Sequence, residues 1–220
     1  MKLTKFPQSC ILIETTGKRI LVDPGYLQYD SSWLNREWAK IDLILITHKH
    51  KDHCHVEAIK EILKNKTTLI YTSKEVAETY PELAVKTIKS GESLTFGGIK
   101  IDAVKAVHGY LPLLKGGNEI KENMGFILAD GKKKVYLTGD TLCFENGFSV
   151  DLIFLPVCNH GLVMGVFEAA LFAKETGAKT VIPYHYDNPK YPVDLEEVKR
   201  EFEKQNLNCK ILVIGETITV

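Results

Sequence analysis

Short runs of apolar residues along the chain predict a succession of strands, and runs in which apolar residues recur every three or four positions predict helices between them. The almost unbroken apolar run at 41–47 is typical of a strand that is buried on both faces. The predicted strands cover 10–14, 19–22, 41–47, 68–72, 92–96, 99–107, 124–129, 134–138, 151–157 and 180–183, with one or two closing strands within 210–220. The predicted helices cover 56–63, 74–80, 166–176 and 194–205.

Turn and cap residues mark the ends of these elements. Gly17 and the Asp130-Gly131 step predict hairpin turns between neighbouring strands. Ser73 and Asp194 are candidate N-caps, and Gly177 is a candidate C-terminal stop for the helix before it. Strands that first come in pairs and later alternate with helices predict mixed sheets covered by helices, an α/β (α+β) class that still admits several folds.

Composition narrows the class of protein. The 220 residues are 45% hydrophobic and 25% charged, which suits a globular chain with a substantial core, and no linker or repeat divides 1–220 into more than one expected domain. The 28 basic residues balance 28 acidic ones, so a dedicated nucleic-acid binder is disfavoured. Five cysteines without a Cys-x-x-Cys pair disfavour a disulfide scaffold or a zinc knuckle. Without a signal peptide or an apolar run of about 20 residues, the protein is expected to be cytoplasmic, with no membrane partner.

The segment 47–53 is the most informative part of the sequence, because it contains His48, His50, Asp52 and His53 between a predicted strand and a predicted helix. In extended chain His48 and His50 point to the same side, and the turn into the helix presents the other two together. Imidazole nitrogens and carboxylate oxygens are ligands for Zn²⁺, Mn²⁺ or Fe²⁺. A chance cluster of solvated loop residues with these offsets is expected in well under about one sequence in a thousand, which favours a metal site.

Three further candidate ligands, His108, Asp140 and His185, each follow an apolar segment predicted to be a strand. Loops at the carboxyl ends of strands gather to form sites in α/β proteins, so these side chains are expected to lie near the histidine cluster. From the residues alone, the cluster fits either one structural zinc site or two neighbouring metals that share ligands from elsewhere in the chain.

The His-x-His-x-Asp-His motif at 48–53, followed in chain order by His108, Gly139-Asp140 and His185, resembles the metallo-β-lactamase superfamily of binuclear metal hydrolases. The resemblance runs from the opening hairpin to the last helix and implies a four-layer αββα sandwich, the metallo-β-lactamase fold. It also implies two divalent metal ions, with zinc expected and manganese or iron as alternatives. The implied ligands are His48, His50 and His108 for the first metal, Asp52, His53 and His185 for the second, and Asp140 as a bridge between the two.

Two aspartates are expected to act beyond simple ligation. Asp23, which precedes Pro24, resembles the buried family aspartate that orients a ligand histidine, and a plain turn aspartate is the alternative. Two ions about 3.5 to 4 Å apart can hold a bridging hydroxide at neutral pH, and Asp52 is the candidate catalytic residue that orients this nucleophile. The predicted reaction is hydrolysis of an ester, lactone or phosphodiester of a small metabolite.

The substrate side of the site is predicted from softer matches. The segment 159–170 resembles a subgroup of small superfamily members that includes the ascorbate-6-phosphate lactonase-like proteins, although Asn159, His160 and Val163 depart from the subgroup's pattern. His160 is a candidate substrate-binding residue, with a solvated loop histidine as the alternative. The loop 111–122 is either a substrate loop or an ordinary surface loop. An aromatic group either walls the pocket or covers the core, and its members are Tyr26, Tyr29, Trp33 and Trp38.

Other functions are kept as alternatives. A nuclease is disfavoured because the chain has no room for a large inserted domain and no evident basic arm. A diiron redox enzyme of the same superfamily is expected to carry Glu where this chain has His50. A metal-loaded binding or sensor protein without turnover fits the same ligand set. The expected partner is a small-molecule substrate, and a homo-oligomer is left open.

Overall fold

The computed structural model describes residues 1–64 and 67–220, and within these ranges it has thirteen strands and four α-helices. The strands are β1 (Lys2–Lys5), β2 (Ile11–Thr15), β3 (Lys18–Val22), β4 (Leu43–Leu45), β5 (Leu69–Thr72), β6 (Lys86–Thr87), β7 (Ser93–Phe96), β8 (Ile99–Lys105), β9 (Met124–Ala129), β10 (Lys134–Leu137), β11 (Leu152–Pro156), β12 (Thr180–Tyr184) and β13 (Thr217–Thr219). The helices are α1 (Val56–Leu63), α2 (Lys74–Thr79), α3 (Val166–Glu175) and α4 (Leu195–Lys204).

The strands form two mixed sheets. The first sheet has the order β13-β1-β2-β3-β4-β5-β6, and the second has the order β12-β11-β10-β9-β8-β7. In the first sheet β3, β4, β5 and β6 run parallel, and in the second β10, β11 and β12 run parallel, while the remaining pairs are antiparallel. The parallel stretches bring the carboxyl ends of several strands to one edge of each sheet, which is where the candidate ligands follow them.

The two sheets pack face to face, because every second residue of the central strands is apolar and points into the space between them. Ile13 and Leu45 of the first sheet and Phe126 and Phe154 of the second are fully buried in this shared core. The opposite face of the first sheet packs against α1 and α2, and that of the second sheet packs against α3 and α4. This is the predicted αββα sandwich. None of the helices that the described residues form has the length and apolarity needed to cross a bilayer.

Local signals predicted most element boundaries closely. α1 and β9 have the predicted limits, and Ser73 and Asp194 cap their helices by accepting hydrogen bonds from the backbone N–H groups of Val76 and Glu196. Gly177 follows α3 with a φ of 64°, as a C-terminal stop requires.

The pairing at the edge of the first sheet was not predicted. β1 was missed because it is short and carries a lysine at each end, and its pairing with β2 and with the distant β13 defines it as a strand. Of the predicted closing strands within 210–220, the structure has β13 alone, because the segment before it turns back at Gly215 with a φ of 84°.

Candidate metal centre

The candidate ligands lie together at one edge of the sandwich. His48 follows β4 of the first sheet, whereas His108, Asp140 and His185 follow β8, β10 and β12 of the second. His48, Asp140 and His185 are at most 3% exposed. The polypeptide therefore brings buried polar side chains from both sheets to one place, where two apolar layers would otherwise meet.

The ligand loop between β4 and α1 folds back on itself. The backbone N–H groups of His53 and Cys54 both donate to the carbonyl oxygen of His50, at 2.9 and 3.0 Å. Gly25 packs against this loop so closely that a Cβ at its position would lie 1.7 Å from the carbonyl oxygen of Asp52. Only glycine fits there, and this contact determines where Asp52 and His53 stand.

Two trios of side chains within the cluster have the spacing of metal ligands. In each trio the candidate ligand atoms lie within 4.8 Å of one another. The first trio is His48, His50 and His108, and the second is Asp52, His53 and His185. These are the same groupings that the sequence resemblance implied, and their roles as ligands stay a prediction.

Asp140 lies between the two trios. Its Oδ1 is 3.2 Å from Nε2 of His53, and its Oδ2 is 3.4 Å from Nε2 of His185 and 3.7 Å from Nε2 of His108. The side-chain amide of Asn123 donates to the backbone oxygen of Asp140 at 2.6 Å. The carboxylate of Asp140 therefore faces both trios, as a bridging ligand must.

Several atoms at the centre of the cluster are buried without a hydrogen-bond partner among the described residues. They are Nε2 of His48, His53, His108 and His185, and Oδ1 of Asp140. Unpaired buried polar atoms are costly, and a set of imidazole nitrogens and carboxylate oxygens that converge without bonding each other fits divalent cations. The residues present thus suit the metals that the resemblance implies.

Thr47 and Asp23 hold two of the histidine rings. Asp23 accepts hydrogen bonds from the Thr47 N–H, the Thr47 hydroxyl and Nδ1 of His53, each at 2.8 Å. Because the hydroxyl hydrogen of Thr47 points to Asp23, the ring nitrogen Nδ1 of His48, 3.0 Å away, is the donor to Oγ1. Asp23 is therefore placed as expected for the residue that orients a ligand histidine, and Thr47 was not predicted.

His108 is oriented by the backbone. Its Nδ1 donates to the carbonyl oxygen of Gly109 at 2.7 Å, and the N–H of Gly109 donates to the oxygen of Leu162 at 2.8 Å. In the neutral form of His48, His53 and His108, which a cation would bind, a donor role for Nδ1 leaves the lone pair on Nε2, on the side that faces the cluster.

The close packing of carboxylates and imidazoles shifts their pKa values in opposite directions. Burial by itself lowers the pKa of His53, but the carboxylates of Asp140, Asp23 and Asp52 outweigh it and raise this pKa to about 10. Burial raises the pKa of Asp52, but His53 and His185 outweigh it and lower this pKa to about 2. Burial keeps the pKa of His48 well below its ordinary value. Asp52 is thus a carboxylate at neutral pH.

The loop 111–122 lies over the first trio. The carbonyl oxygen of Asn118 accepts from Nε2 of His50 at 3.0 Å, and Lys49 donates to the oxygen of Gly117 at 3.0 Å. Glu75 fixes the end of the segment by accepting from the N–H groups of Lys121 and Glu122, each at 2.9 Å. The position of this segment is that of a loop beside a substrate pocket, and its contact with substrate stays a prediction.

On the other side of the centre, His160 lies next to the second trio. Its ring centroid is 5.5 Å from that of His185 and 5.0 Å from that of Tyr191. The thiol of Cys158 is in the same place, and the ligand atoms of Cys158, His160 and His185 lie within 4.8 Å of one another. Burial by itself raises the pKa of Cys158, but the rings of His160 and His185 outweigh it and lower this pKa to about 6.

Most of the aromatic group after Asp23 belongs to the core. Trp33 and Trp38 are 8% and 1% exposed. Their rings pack against Phe6 in tilted and edge-on arrangements, with centroids 4.9 and 5.5 Å from that of Phe6. Tyr29 packs against both tryptophans, while Tyr26 is half exposed. Of the two alternatives, the core lid is the one that the structure shows for these three rings.

The comparisons with known proteins agree with this arrangement. Residues 2–185 match the family model described as a Beta-lactamase superfamily domain. The chain is 31% identical to a UPF0173 metal-dependent hydrolase of Bacillus cytotoxicus, over the full length of both chains. The crystal structure of a putative metal-dependent hydrolase from Parabacteroides distasonis has a TM-score of 0.78 and 27% identity, covering 95% of this chain and 91% of that one. Igni18, a metallo hydrolase of Ignicoccus hospitalis, has a TM-score of 0.79 and 25% identity, covering 99% and 97%.

Proposed function

Because the chain belongs to the metallo-β-lactamase superfamily, we propose that it is a hydrolase whose clustered side chains hold two divalent cations, with zinc as the expected metal. The observation that carries the proposal is the position of Asp140 between two trios of ligand-type side chains whose central atoms have no other partner among the described residues. The similar proteins named as metal-dependent hydrolases support the same reaction class.

The residues of this chain have distinct tasks in the proposed reaction. Two bound cations supply a water whose pKa is lowered to about 7 and a Lewis acid for the substrate oxygen. Asp52, deprotonated at neutral pH, accepts a hydrogen bond from the attacking water and so orients it. Asp23 and Thr47 keep the rings of His53 and His48 in fixed orientations throughout.

His160 is proposed to bind the substrate. Its Nδ1 accepts the N–H of Leu162 at 3.1 Å, so the neutral ring carries its proton on Nε2. This N–H is available to donate to an oxygen of the substrate next to the second trio. The close packing of Gly109 against Leu162 keeps the two flanking loops together and supports this placement.

The proposed substrate is a small metabolite with an ester, lactone or phosphodiester bond. Lys49, the cationic side chain between the two first histidines, is engaged by Glu75 at 2.8 Å and by the oxygen of Gly117. A nuclease would need free cations along a groove for the phosphate backbone, which favours a small substrate over a polymer. The narrower resemblance to ascorbate-6-phosphate lactonase-like proteins stays a prediction.

Metal analysis combined with an activity screen tests the proposal. The purified protein, saturated with Zn²⁺ or Mn²⁺ and freed of excess ion, is expected to hold two ions per chain and to hydrolyse at least one compound in a panel of lactones, esters and phosphodiesters. Replacing Asp52→Asn is expected to lower the rate about 100-fold or more while most of the metal remains bound. Retention of two ions with no turnover on any probe would instead support a binding or sensor protein.

A further inference from the structure

Among the buried ligand histidines of the described chain, His185 differs from the others in how its second ring nitrogen is held. Nδ1 of His48, His53 and His108 each has an oxygen partner, namely Oγ1 of Thr47, Oδ2 of Asp23 and the carbonyl oxygen of Gly109. Nδ1 of His185 is buried and has no such oxygen partner within residues 1–64 and 67–220. A ligand histidine without a partner on this nitrogen is free to rotate and binds its metal less well.

The two edges of the His185 ring face different neighbours. Nε2 is 3.5 Å from Oδ2 of Asp52 and 3.4 Å from Oδ2 of Asp140, so this edge faces the metal centre. Cys158 groups with His185 and His160 but not with Asp52, His53 or Asp140. The sulfur thus lies within 4.8 Å of a ring nitrogen of His185 but is not grouped with the carboxylates that face Nε2.

The fold places this sulfur with little freedom. Cys158 is 1% exposed, and its backbone N–H donates to the oxygen of Met164 at 3.1 Å. The preceding residue, Val157, donates to the oxygen of Tyr184 at 3.0 Å, which couples the end of β11 to the end of β12. His185 itself has a φ of 65°, a conformation rare outside glycine, so the chain is strained at this ligand.

We propose that Cys158 is the positioning residue for His185: its sulfur accepts the hydrogen bond from Nδ1–H and thereby directs Nε2 to the second cation. The thiol of Cys158 donates to the carbonyl oxygen of Tyr191 at 3.9 Å, which leaves the lone pairs of the sulfur to accept. A thiol sulfur is a larger and softer acceptor than the carboxylate that holds His53. The inference rests on the proposed two-cation site and adds a residue that acts through a ligand.

Titration of the metal-free protein with Co²⁺ tests this role. In Cys158→Ala the affinity for the second ion is expected to fall about 10- to 100-fold, while the affinity for the first ion is unchanged. Cys158→Ser keeps an acceptor at the same position and is expected to restore most of the affinity. The matched control is Cys10→Ala, which removes a thiol of similar burial, 2% exposed, from the helix-covered face of the first sheet.

A second readout distinguishes positioning from packing. In the Co²⁺ protein, the paramagnetically shifted NMR signals of the ligand imidazoles include exchangeable N–H protons. The signal of His185 is expected to exchange rapidly with solvent and disappear in Cys158→Ala, and to persist in Cys158→Ser and Cys10→Ala. Unchanged affinity for the second ion in Cys158→Ala, or equal losses for both ions, would overturn the proposal. A wild-type protein that binds one ion at saturation would instead refute the two-cation site.

Discussion

Thr47 shows how one side chain without any affinity for metal organises a metal centre. It stands immediately before His48, donates its N–H and hydroxyl hydrogen to Asp23, and receives Nδ1–H of His48 on the same oxygen. Each of these bonds is buried, where hydrogen bonds to a charged partner contribute most. The orientation of the His48 and His53 rings therefore depends on a carboxylate that touches no proposed cation.

Replacing Asp23→Asn is expected to weaken zinc binding about 10- to 100-fold, because the amide accepts less strongly than the carboxylate from His53 and Thr47. Competition with a chromophoric chelator measures the affinity. Asp42→Asn is the matched control, since Asp42 accepts a backbone N–H from Arg19 at a partly exposed site away from the centre. Equal affinities in the two variants would contradict the role given to Asp23.

At this scale, the sequence predicted the residues whose chemistry is evident from their type. The seven candidate ligands come together in space, and Asp23 lies where it was expected. Thr47 and Cys158 were not predicted, because a threonine or a cysteine becomes informative only through its partners. Those partners, Asp23 and His185, lie far from them along the chain, and the spacing of residues does not indicate such contacts.

Among the elements, the loop after β3 and the ligand loop after β4 pack so closely that no side chain fits between them. The position of Gly25 leaves no room for a side chain, since a Cβ would lie 1.7 Å from the oxygen and 2.3 Å from the carbon of the Asp52 carbonyl. The backbone around it is tied by bonds from Tyr26 N–H to the oxygen of Lys51 and from His55 N–H to the oxygen of Pro24.

Gly25→Ala is expected to destabilise the protein by about 1 to 3 kcal/mol, because both loops must separate, and to weaken metal binding by displacing Asp52 and His53. Urea unfolding of the metal-free protein measures the first effect. In Gly147→Ala the new Cβ meets no described atom within 4 Å, so this control should leave stability unchanged or raise it by up to about 1 kcal/mol. An unchanged free energy of unfolding in Gly25→Ala would show that the two loops can accommodate a side chain at this position.

Glu75 links the start of α2 to the segment over the first trio, and its charge makes this link dependent on pH. Burial raises the pKa of Glu75, but Lys49 and the N–H groups of Glu122 and Lys121 outweigh it and lower the pKa below the ordinary glutamate value. The stabilisation is therefore complete above the unfolded pKa of about 4.3 and is lost as the pH falls through the lower folded value.

Glu75→Gln is expected to lower the free energy of unfolding by about 1 to 3 kcal/mol at pH 7, since a charged acceptor of two backbone N–H groups is lost. The difference from the wild type should disappear as the pH falls below the carboxylate's folded pKa. Urea unfolding between pH 7 and pH 3, with both proteins freed of metal by a chelator, isolates the effect. If the two proteins still differ in free energy of unfolding at pH 3, the effect comes from packing and not from the charge of Glu75.

Element limits were predicted well wherever a local signal exists. Caps such as Ser73 and Asp194, and the helical period over 56–63, are properties of neighbouring residues and are visible in the sequence. β1 and β13 are strands because each pairs with the other across almost the whole chain, with Leu3 opposite Ile218. Pairing of this kind depends on tertiary structure, and no local pattern predicts it.

For the molecule as a whole, the metal centre joins the two halves of the sandwich. The second sheet supplies His108, Asp140 and His185, and the loop after β4 of the first sheet supplies the remaining candidate ligands. Bound cations would therefore connect the sheets at an edge where the central imidazole nitrogens have no other partner among the described residues.

Removing metal is expected to destabilise the native protein by about 3 to 4 kcal/mol for each ion that was present at 100 to 1,000 times its dissociation constant. Thermal unfolding with zinc and with an excess of chelator measures the difference. His48→Ala, which lacks one ring of the first trio, should show a smaller dependence on metal. Equal melting temperatures with and without chelator would contradict the role of cations in joining the sheets.

The αββα architecture followed from the family resemblance, whereas the pattern of strands and helices alone admitted several α/β folds. The two outer layers are visible as amphipathic helices, but which sheet each helix covers depends on the strand order. The strand order in turn places the first and last strands side by side, and this order was not predicted.

The hydrogen bonds of Thr47 and Asp23 also link the two trios of candidate ligands. His48 belongs to one trio and His53 to the other. The hydroxyl of Thr47 holds the His48 ring, and the carboxylate of Asp23, to which that hydroxyl donates, holds the His53 ring. A cation that immobilises either ring also orders Thr47 and Asp23. The protein then loses less conformational entropy when the second cation binds, because the other ring is already ordered. If both trios bind cations, filling either site is therefore expected to raise the affinity of the other by the same factor.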